Sequence, residues 1–586
     1  MSIKPTVNDL NWKIAGEAGY GIKSVGLMFS KICTRGGLQI FDYSEYPSLV
    51  RGGHNTYQVN VGEDEKFAPK ALVSLLVALN QDTIDFHRDE LEEGGGLVYD
   101  NEDKEIDVSS LDAKKYNLFP IPLTKLAEDA GGKKVMRNSV ALGASVGLIS
   151  YDFELLKSVI EDAFKKKGDE IVNMNIKIAE AGYKHAKDNF DVGKFPFQLK
   201  AVKGPKRMVL TANEAIALGA IQAGCKFMSA YPMTPASSIL HYMAANQEKH
   251  NLVVKQTEDE LSAMTMALGA NFAGVRSFTC TSGGGFSLMV EALGLSGITE
   301  TPMVIAEVMR PGPATGLPTW TEQGDLRFLI HAAQGEFPRI VIAPGDAREA
   351  FYGTHHAFNL AEKYQMPVFV LSDKFISESY KSEEFFDTTK LKIERGEMMT
   401  DTQLKKVKEY KRYKFTDTGV SPRSIPGQKD GVYNANSDEH DEFGYSVEDA
   451  ENRVRMVEKR AAKLEEAAKD LPEPILYGLE KADITLIAWG STKGPILEAM
   501  KLCERDKLKV NLLHVMYAFP FPTERVNEVI KNAKDVVIVE NNSTAQLGSL
   551  IREFTGHDIE KKLLKYSGRQ FYPNEIHEYV SDILSK

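Results

Sequence analysis

The chain has 586 residues, a net charge of −11 at pH 7, 43% hydrophobic residues and 26% charged residues. This composition is typical of a globular protein with about three to four domains, and its acidity argues against general nucleic-acid binding, which rests on Lys and Arg at the phosphates. No apolar run approaches the ~18–20 residues that cross a bilayer, and the polar start lacks a signal-peptide pattern, so we expect a cytoplasmic protein without a membrane partner.

The first domain is predicted to cover residues 1–195 and to begin as an α/β fold. Residues 12–15 are predicted as a strand, residues 16–21 (GEAGYG) as a tight turn and residues 22–34 as a helix. Backbone N–H groups at such a helix start can hold a phosphate, which makes Gly19 and Gly21 candidates. A purely structural turn is the alternative, because the glycine spacing is not that of a dinucleotide site and only Asp42 is available as a ribose-binding acid.

A second glycine-rich segment, residues 47–54, carries a cation and an imidazole, Arg51 and His54. It faces an anionic ligand in one interpretation, and in the other it caps a helix or holds a turn. We therefore keep Arg51 as a candidate for binding an anion.

The middle domain, residues 205–380, follows a linker and alternates strands with helices. This rhythm predicts a parallel sheet flanked by helices. The strands are expected at residues 227–230, 277–281, 303–308, 340–342 and 368–371, and the helices at 212–223, 240–247, 261–272, 289–295 and 347–363.

Residues 381–474 form a charged connector that ends in a long polar helix predicted at residues 447–469. His440 lies among acids, so it is either a metal ligand or part of a solvated loop. From residue 475 to 586 the α/β alternation returns, with strands expected at 484–489, 510–514 and 536–539 and helices at 495–504 and 547–555.

Glu260 is the leading catalytic candidate. Thiamine diphosphate is deprotonated by its own aminopyrimidine, and a carboxylate hydrogen-bonded to that ring favours the tautomer that does so. Glu260 opens a helix rich in small residues that leads to a strand and then to TSGGG at 281–285, the order of a pyrimidine-binding domain. The alternatives are a helix-start Glu stabilised by the helix dipole, or a site that uses Glu258 instead.

Two loops at strand ends are expected to complete this site. YPMTP at 231–235 is stiffened by two prolines, and its Thr234 can hydrogen-bond a substrate carboxylate or carbonyl. Arg310, at the start of a second loop that runs to Thr319, can clamp a carboxylate.

The other half of a thiamine site is missing from the sequence. We find no Gly-Asp-Gly with a downstream Asn pair to bind the diphosphate and metal, and the four cysteines are far apart, so no iron–sulfur cluster and no metal site is expected in this chain. The chain therefore reads as one subunit of a larger redox enzyme.

These motifs together resemble the 2-oxoacid:ferredoxin oxidoreductases, above all the fused gamma–alpha subunit of the 2-oxoglutarate type, over nearly the whole length. The resemblance implies an α/β multidomain fold with a gamma domain, a thiamine-pyrimidine domain and, at residues 475–586, a transketolase-C-like domain. It rests on GEAGYG at 16–21 and RGG at 51–53 for the gamma domain, YPMTP, TSGGG and residues 312–323 for the pyrimidine domain, SPR at 421–423 and DEH at 438–440 for the connector, and WGST at 489–492 and ENN at 540–542 for the last domain.

The resemblance also implies the reaction and its partners. A 2-oxo acid, with 2-oxoglutarate as the main expectation, is decarboxylated on thiamine diphosphate, electrons pass to ferredoxin, and coenzyme A takes the acyl group; the reverse carboxylation is equally open. Mg²⁺ and a [4Fe-4S] cluster are expected on a beta subunit, in an (αβ)₂ assembly. The implied thiamine-binding residues are Pro232, Met233, Glu260, Ser282 and Gly283; the substrate residues are Thr234, Arg310, Thr319 and Trp320; and Gly19, Gly21 and Arg51 are implied for coenzyme A.

Two positions depart from the family pattern. Gly284 replaces a proline, and Trp320 stands where relatives often carry a basic residue that recognises the substrate. Trp320 cannot pair with a carboxylate, so a branched, aryl or other apolar 2-oxo acid is the alternative substrate. The other hypotheses are a stand-alone thiamine enzyme, a non-catalytic nucleotide-binding protein and an NAD-dependent oxidoreductase.

Overall fold

The structure, a computed structural model, describes residues 5–49 and 52–585. The chain divides into two compact units. Unit 1 comprises Met1–Leu210, Glu378–Phe385 and Tyr572–Glu575, and unit 2 comprises Thr211–Ser377, Phe386–Phe571 and Ile576–Lys586.

The strands are β1 (Thr6–Val7), β2 (Asp9–Glu17), β3 (Gln39–Glu45), β4 (His54–Gly62), β5 (Val73–Ala78), β6 (Leu91–Asp100), β7 (Asn117–Ile121), β8 (Phe197–Gln198), β9 (Arg207–Leu210), β10 (Phe227–Ala230), β11 (Val253–Gln256), β12 (Ser277–Thr281), β13 (Met303–Met309), β14 (Ile340–Ile342), β15 (Pro367–Asp373), β16 (Lys381–Glu384), β17 (Ile475–Gly478), β18 (Ile484–Ala488), β19 (Val510–His514), β20 (Tyr517–Phe519), β21 (Val536–Glu540) and β22 (Lys562–Leu564).

The α-helices are α1 (Ile22–Arg35), α2 (Gln81–His87), α3 (Leu123–Asp129), α4 (Arg137–Leu148), α5 (Phe153–Phe164), α6 (Asp169–Asn189), α7 (Ala212–Gln222), α8 (Ser237–Ala245), α9 (Gln247–His250), α10 (Glu260–Phe272), α11 (Gly283–Ile298), α12 (Leu326–His331), α13 (Ala347–Tyr364), α14 (Lys374–Glu378), α15 (Asp401–Leu404), α16 (Ala450–Ala468), α17 (Lys493–Arg505), α18 (Thr523–Asn532), α19 (Gln546–Thr555) and α20 (Pro573–Leu584).

Unit 1 is built on a mixed eight-stranded sheet in the order β7-β6-β5-β2-β4-β3-β16-β9. Strand β2 is buried over nearly its whole length, and α1 packs its apolar stripe on the sheet, where the rings of Trp12 and Phe29 stack with centroids 4.4 Å apart. The stripe follows the helical period, which is why this segment forms an amphipathic helix.

Unit 2 contains two sheets. The larger has the order β11-β10-β12-β13-β15-β14-β20, parallel except for β20, and the smaller has the order β17-β19-β18-β21-β22. Since β20 comes from the C-terminal part of the chain but pairs with β14, the predicted middle and C-terminal domains share one sheet. The carboxyl ends of β10, β12 and β13 lie at the same edge of the parallel sheet, the usual position of a ligand in such folds.

The expected α/β multidomain class is confirmed, and several strands have the predicted bounds, among them β10, β12 and β19. Many of the other predicted boundaries differ by one to three residues, and three differences have an identifiable cause. Strand β2 continues through Gly16 and Glu17, because both residues pair with β4. Helix α11 begins at Gly283 rather than near residue 289, since three glycines obscured its first turn. Helix α16 begins at Ala450, where the side chain of Asp449 caps it.

The loop around His440 in the connector is not solvated, although a solvated loop was one of the two expectations. His440 is fully buried and its ring lies 4.0 Å from that of Tyr413, with Nδ1 3.0 Å from the carbonyl of Asp438. Glu439 beside it is bound by Arg453 and Arg460 of α16. The expected solvated loop around His440 is therefore wrong. Within the described residues no group of three or more His, Cys, Asp and Glu is arranged to hold a metal.

All four cysteines are buried and free. Among the described residues, no helix combines the length and the apolar character that crossing a membrane requires.

Candidate active site

Glu260 is the first residue of α10, and its position is fixed by the residue before it. The Asp259 side chain accepts a 2.8 Å hydrogen bond from the backbone N–H of Ser262, which caps the helix. Glu260 is only 7% exposed, yet no described residue donates a hydrogen bond to its carboxylate. A buried carboxylate is costly unless it is hydrogen-bonded, so this one has the environment of a group that meets a ligand.

The rival carboxylate, Glu258, has a different environment. It is exposed and already accepts a 2.7 Å hydrogen bond from the hydroxyl of Ser262. That hydrogen bond holds the pKa of Glu258 below its usual value. The geometry therefore favours Glu260 over Glu258 as the buried, ligand-facing acid.

The turn from β12 into α11 lies directly against Glu260. A Cβ on Gly285 would come within 2.6 Å of Glu260 Oε1 and would overlap the hydroxyl of Thr281. Ser282, at the cap position of α11, is fully buried, and its hydroxyl has no partner among the described residues. The absence of side chains at the start of α11 thus lets Glu260 approach the helix N-terminus, a place where N–H groups favour anions.

The loop after β10 joins this turn. The sulfur of Met233 lies 3.7 Å from Thr281 Oγ1, and its methyl lies 3.2 Å from the place that a Cβ on Gly284 would take. Pro232 is half-buried beside it. The structure therefore brings together the residues that the sequence assigned to the thiamine pyrimidine.

Thr234 and Arg310, which come from two loops, are also brought together. A guanidinium N–H of Arg310 donates a 2.8 Å hydrogen bond to the backbone carbonyl of Thr234. Burial lowers the pKa of Arg310, and Glu307 opposes that shift. Because both side chains are half-buried, the pair presents a cation and a hydroxyl at one rim.

The loop that follows Arg310 is anchored at Gln323. Thr319 is buried with an unpartnered hydroxyl. Gln323 donates 2.8 Å to the carbonyl of Trp489 and accepts 2.8 Å from the N–H of Asn541. The WGST and ENN motifs of the C-terminal domain thus hold this loop.

Trp320 does not stand alone. The guanidinium carbon of Arg569 lies 3.0 Å from the centre of the Trp320 indole ring. The neighbouring backbone is close as well, since the N–H of Thr321 donates 3.2 Å to the carbonyl of Gly568. A cation is therefore present where the sequence has an aromatic residue in place of a basic one, and sequence reasoning missed it because Arg569 is about 250 residues further along the chain.

A second feature that sequence reasoning missed is a pair of acids beneath the turn, Glu307 and Asp325. Glu307 on β13 is fully buried and pairs in register with Thr281, and neither of its carboxylate oxygens meets a donor among the described residues. Asp325 is half-buried, and its Oδ2 lies 2.5 Å from the place of a Cβ on Gly283. Burial first and Asp325 second hold the pKa of Glu307 well above its usual value, and burial raises the pKa of Asp325 to about 6. Both carboxyl groups are therefore easier to protonate than free ones.

In unit 1, the glycine-rich turn leads into α1 as expected. Gly19 and Gly21 have φ angles of 97° and 72°, the left-handed region that favours glycine. Gly21 has no room for a Cβ because Asn138 lies against it and donates 2.7 Å to the carbonyl of Tyr20. The guanidinium of Arg137 lies 4.7 Å from the Tyr20 ring, so the turn carries a cation that the sequence did not reveal. Arg51 lies outside the described residues.

Asp42 and His54 are occupied by internal contacts. Asp42 accepts hydrogen bonds from Tyr57, Ser30 and the backbone N–H of Tyr380, and burial raises its pKa to about 7. It is 1% exposed, so it is a core residue and not a ribose ligand. His54 hydrogen-bonds His87 at 2.8 Å, and burial lowers its pKa to about 4.

Comparisons with known proteins agree with this geometry. Family models described as pyruvate flavodoxin/ferredoxin oxidoreductase, thiamine diP-bdg, as pyruvate ferredoxin/flavodoxin oxidoreductase, and as pyruvate:ferredoxin oxidoreductase core domain II match residues 218–459, 11–185 and 482–576. The alpha subunit of a Sulfolobus 2-oxoacid:ferredoxin oxidoreductase is 34% identical over 98% of this chain and 97% of its own.

Two further proteins are similar. The 2-oxoglutarate synthase subunit KorA of Methanothermobacter thermautotrophicus is 32% identical over 63% of this chain and 96% of its own. A solved structure of the 2-oxoglutarate:ferredoxin oxidoreductase from Magnetococcus marinus, with 2-oxoglutarate, coenzyme A and succinyl-CoA bound, superimposes with a TM-score of 0.92 and 32% identity, covering 98% of this chain and 99% of that one.

Proposed function

Since this chain belongs to the 2-oxoacid:ferredoxin oxidoreductases, among their alpha subunits, we propose that it is a fused gamma–alpha subunit acting on 2-oxoglutarate. The reaction is the coenzyme A-dependent oxidative decarboxylation to succinyl-CoA with electrons to ferredoxin, or its reversal. The observation that carries the proposal is the buried, unpartnered carboxylate of Glu260 against the glycine turn at 283–285.

The residues present fit the pyrimidine half of thiamine diphosphate. Glu260 supplies the buried acid, Ser282 an unpartnered hydroxyl, and the glycine turn a surface that a Cβ would obstruct. Bound there, the cofactor would supply a carbon nucleophile for the 2-oxo group. The role of this chain is to hold a proton between Glu260 and the aminopyrimidine ring. Met233 and Pro232 pack beside that ring.

The substrate carboxylates are assigned to the two loops at the rim. Arg310 and Thr234 hydrogen-bond the carboxylate next to the 2-oxo group, and Thr319 contributes its free hydroxyl. The second carboxylate of 2-oxoglutarate is assigned to Arg569, whose guanidinium stacks on Trp320. A guanidinium is the side chain best suited to bidentate recognition of a carboxylate.

Coenzyme A is assigned to unit 1. The helix start after Gly19 and Gly21 offers backbone N–H groups. Arg137 beside Tyr20 is buried and paired with Asp103, so it supplies no free charge to the turn. Arg51 is proposed as a further phosphate contact. A phosphate at a helix N-terminus with a nearby cation is a recurrent arrangement.

A partner surface flanks Glu260. Three large apolar side chains on α10 and α11 are 40–47% exposed, namely Leu261, Met266 and Leu288. Exposed apolar faces of this kind mark interaction sites. We assign the face to a beta subunit that carries the diphosphate site, Mg²⁺ and a [4Fe-4S] cluster and that passes electrons to ferredoxin, in an (αβ)₂ assembly.

The proposal is tested by coenzyme A-dependent viologen reduction. The chain is co-expressed anaerobically with its beta subunit and assayed with 2-oxoglutarate, pyruvate, branched and aryl 2-oxo acids. The expected result is activity with 2-oxoglutarate that is lost in Glu260→Gln. Preference for an apolar acid would overturn the substrate assignment, and no activity with any acid in a cofactor-loaded complex would overturn the reaction class.

Arg569→Met separates the substrate assignment from the fold. We expect it to raise the KM for 2-oxoglutarate by roughly 10–100-fold, the cost of losing one charged hydrogen bond, with little change for any 2-oxo acid that lacks the second carboxylate. Arg552→Met, at an exposed position on α19, is the control. An equal effect on every substrate would assign Arg569 to structure alone.

A further inference from the structure

Unit 1 contains a cavity of about 1060 Å³ that none of the steps above uses. It lies along α1 from Ser24 to Arg35, and beside α5 and the segment 202–209. Its lining includes Leu27 and Met28 of α1 and Val159 of α5. Met28 and Val159 belong to the apolar core of unit 1, so the floor of the cavity is apolar.

The rim of this cavity is strongly basic. Lys31, Lys167, Lys203 and Lys206, which we call the lysine rim, are all exposed, and no ion pair with a carboxylate is found for any of them among the described residues. The cavity has one acidic lining residue, Asp162, and that carboxylate is already paired with Arg35. In a chain of net charge −11, four unpaired ammonium groups around one concavity create a local positive potential that attracts anions.

Two aromatic rings adjoin the rim. Phe385 is 68% exposed, an unusual position for a large apolar side chain. Phe164 lies beneath the ammonium of Lys167, which is 5.3 Å from its ring centre. Exposed aromatic faces next to cations are the combination that stacks a nucleobase while binding its phosphates.

The cavity is separate from the turn assigned to coenzyme A. That turn precedes the N-terminus of α1, whereas the lysine rim meets this helix at Lys31. At 1.5 Å per residue, Lys31 lies about 15 Å along the helix axis from Gly21. One phosphate group cannot contact both.

We propose that this cavity is a second, non-catalytic binding site for a nucleoside di- or triphosphate. The lysine rim binds the phosphates, and Phe385 or Phe164 stacks on the base. The volume is that of a small-molecule pocket, and its concave form with an apolar floor favours such a ligand over the flat surface of an acidic protein.

The test is equilibrium binding of ATP and ADP to the intact complex of this chain with its beta subunit, by calorimetry at two salt concentrations. Adenosine and inorganic tripolyphosphate are measured separately, to distinguish the contribution of the base to binding from that of the phosphate charge. The variant is Lys203→Glu with Lys206→Glu, and Phe385→Ala is measured separately. The control, Lys114→Glu with Lys177→Glu, makes the same charge change at exposed lysines of unit 1 that do not line the cavity.

The expected result is saturable ATP binding that weakens as the salt concentration rises. The affinity for ATP should fall at least about tenfold in the double charge variant. Phe385→Ala should weaken ATP but not tripolyphosphate, and the control should bind as the wild type does. Turnover with saturating coenzyme A and the melting temperature should be unchanged in all variants, which excludes misfolding.

Four results would overturn the proposal. They are no ATP binding by the wild type, equal loss in the control variant, tripolyphosphate binding as tightly as ATP, and a rise in the KM for coenzyme A in the double variant. The last would assign the cavity to the co-substrate instead. Binding of an acidic protein but not of ATP would likewise contradict it.

Discussion

Two buried polar regions of unit 2 differ in how their groups are satisfied. At the glycine turn, the hydroxyl of Ser282 and both oxygens of Glu307 are buried without a hydrogen-bond partner among the described residues, and Glu260 lies against the same turn. At the connector, Glu300 is fully buried but accepts hydrogen bonds of 2.6–2.9 Å from Lys459 and Lys463 of α16.

The difference distinguishes a ligand-binding site from a structural ion cluster. A buried polar group without a protein partner costs free energy in the folded chain, so it needs a water molecule or a ligand to satisfy it. A buried charge with two opposite charges is satisfied within the protein, and its role is to hold the connector in one arrangement. Substitutions should therefore affect catalysis in the first region and stability in the second.

The largest effect is expected for Glu260→Gln. An amide keeps the shape but cannot hold the proton on the aminopyrimidine, and loss of such general acid–base help reduces kcat by about 10²–10⁴-fold. Viologen reduction by the complex with the beta subunit measures it, with the melting temperature as the check on folding. Glu258→Gln, two residues away at an exposed carboxylate, should retain nearly full activity, and equal losses in the two variants would contradict the assignment.

The next effect is on stability, at the connector. Glu300→Gln leaves the ammonium groups of Lys459 and Lys463 buried without an anion, which should cost about 3–5 kcal/mol of unfolding free energy. Although burial opposes it, the two lysines hold the pKa of Glu300 below its usual value, so the stability that Glu300 contributes is present above its unfolded pKa and is lost as the pH falls. That loss sets in only below the unfolded pKa of about 4.3, so thermal and urea unfolding at pH 5 and pH 3 should show the difference between variant and wild type shrinking in acid.

The control for this prediction lies on α16, the helix that carries Lys459 and Lys463. Glu466→Gln removes a carboxylate that pairs with an exposed lysine, Lys469, and a surface pair of this kind is worth about 0–1 kcal/mol. If Glu300→Gln were no more destabilising than Glu466→Gln, the buried cluster would not hold the connector. If it abolished activity without loss of stability, the distinction between the two regions would fail.

These two regions were not equally visible in the sequence. Glu260 and the TSGGG turn are local motifs, and their order along the chain was enough to predict a pyrimidine-binding site, although three glycines obscured the start of α11. Glu300, Lys459 and Lys463 come from segments more than 150 residues apart, and only the packing of α16 reveals that its charged face is buried. The same holds for Arg569 over Trp320 and for Asp325 near Gly283, because neither contact leaves a pattern in the order of residues.

The glycine turn allows a sharper test with a matched pair on one helix. Gly285→Ala would place a methyl group against Glu260 Oε1 and Thr281, so it should lower thiamine affinity and kcat/KM by roughly 10–100-fold, at a cost near that of overpacking. Gly294→Ala, also on α11, meets nothing within 4 Å. It should stabilise the helix by about 0.5–1 kcal/mol and leave activity unchanged. Equal activity in the two variants would show that the missing side chain at Gly285 does not serve the site.

The smallest effect concerns two acids with similar pKa values but different surroundings, the half-buried Asp325 and the buried Asp373. Burial raises the pKa of both Asp325 and Asp373 to about 6, but Asp373 accepts hydrogen bonds from Thr321 and the N–H of Phe375, whereas Asp325 interacts with the Glu307 carboxyl. Because the folded pKa is raised above the unfolded value of about 3.9, the stability from each protonated acid is present below pH ~4 and is lost as the pH rises through 6.

Asp325→Asn removes that titration without removing a hydrogen bond from the backbone. Its melting temperature relative to wild type should therefore rise between pH 4.5 and pH 7.5. Asp373→Asn also escapes the titration, but it weakens the acceptor for Thr321 and Phe375, so it should be less stable than Asp325→Asn at every pH. A pH-independent difference for Asp325→Asn would mean that this acid is ionised at no cost, and the raised pKa of Asp325 would then be wrong.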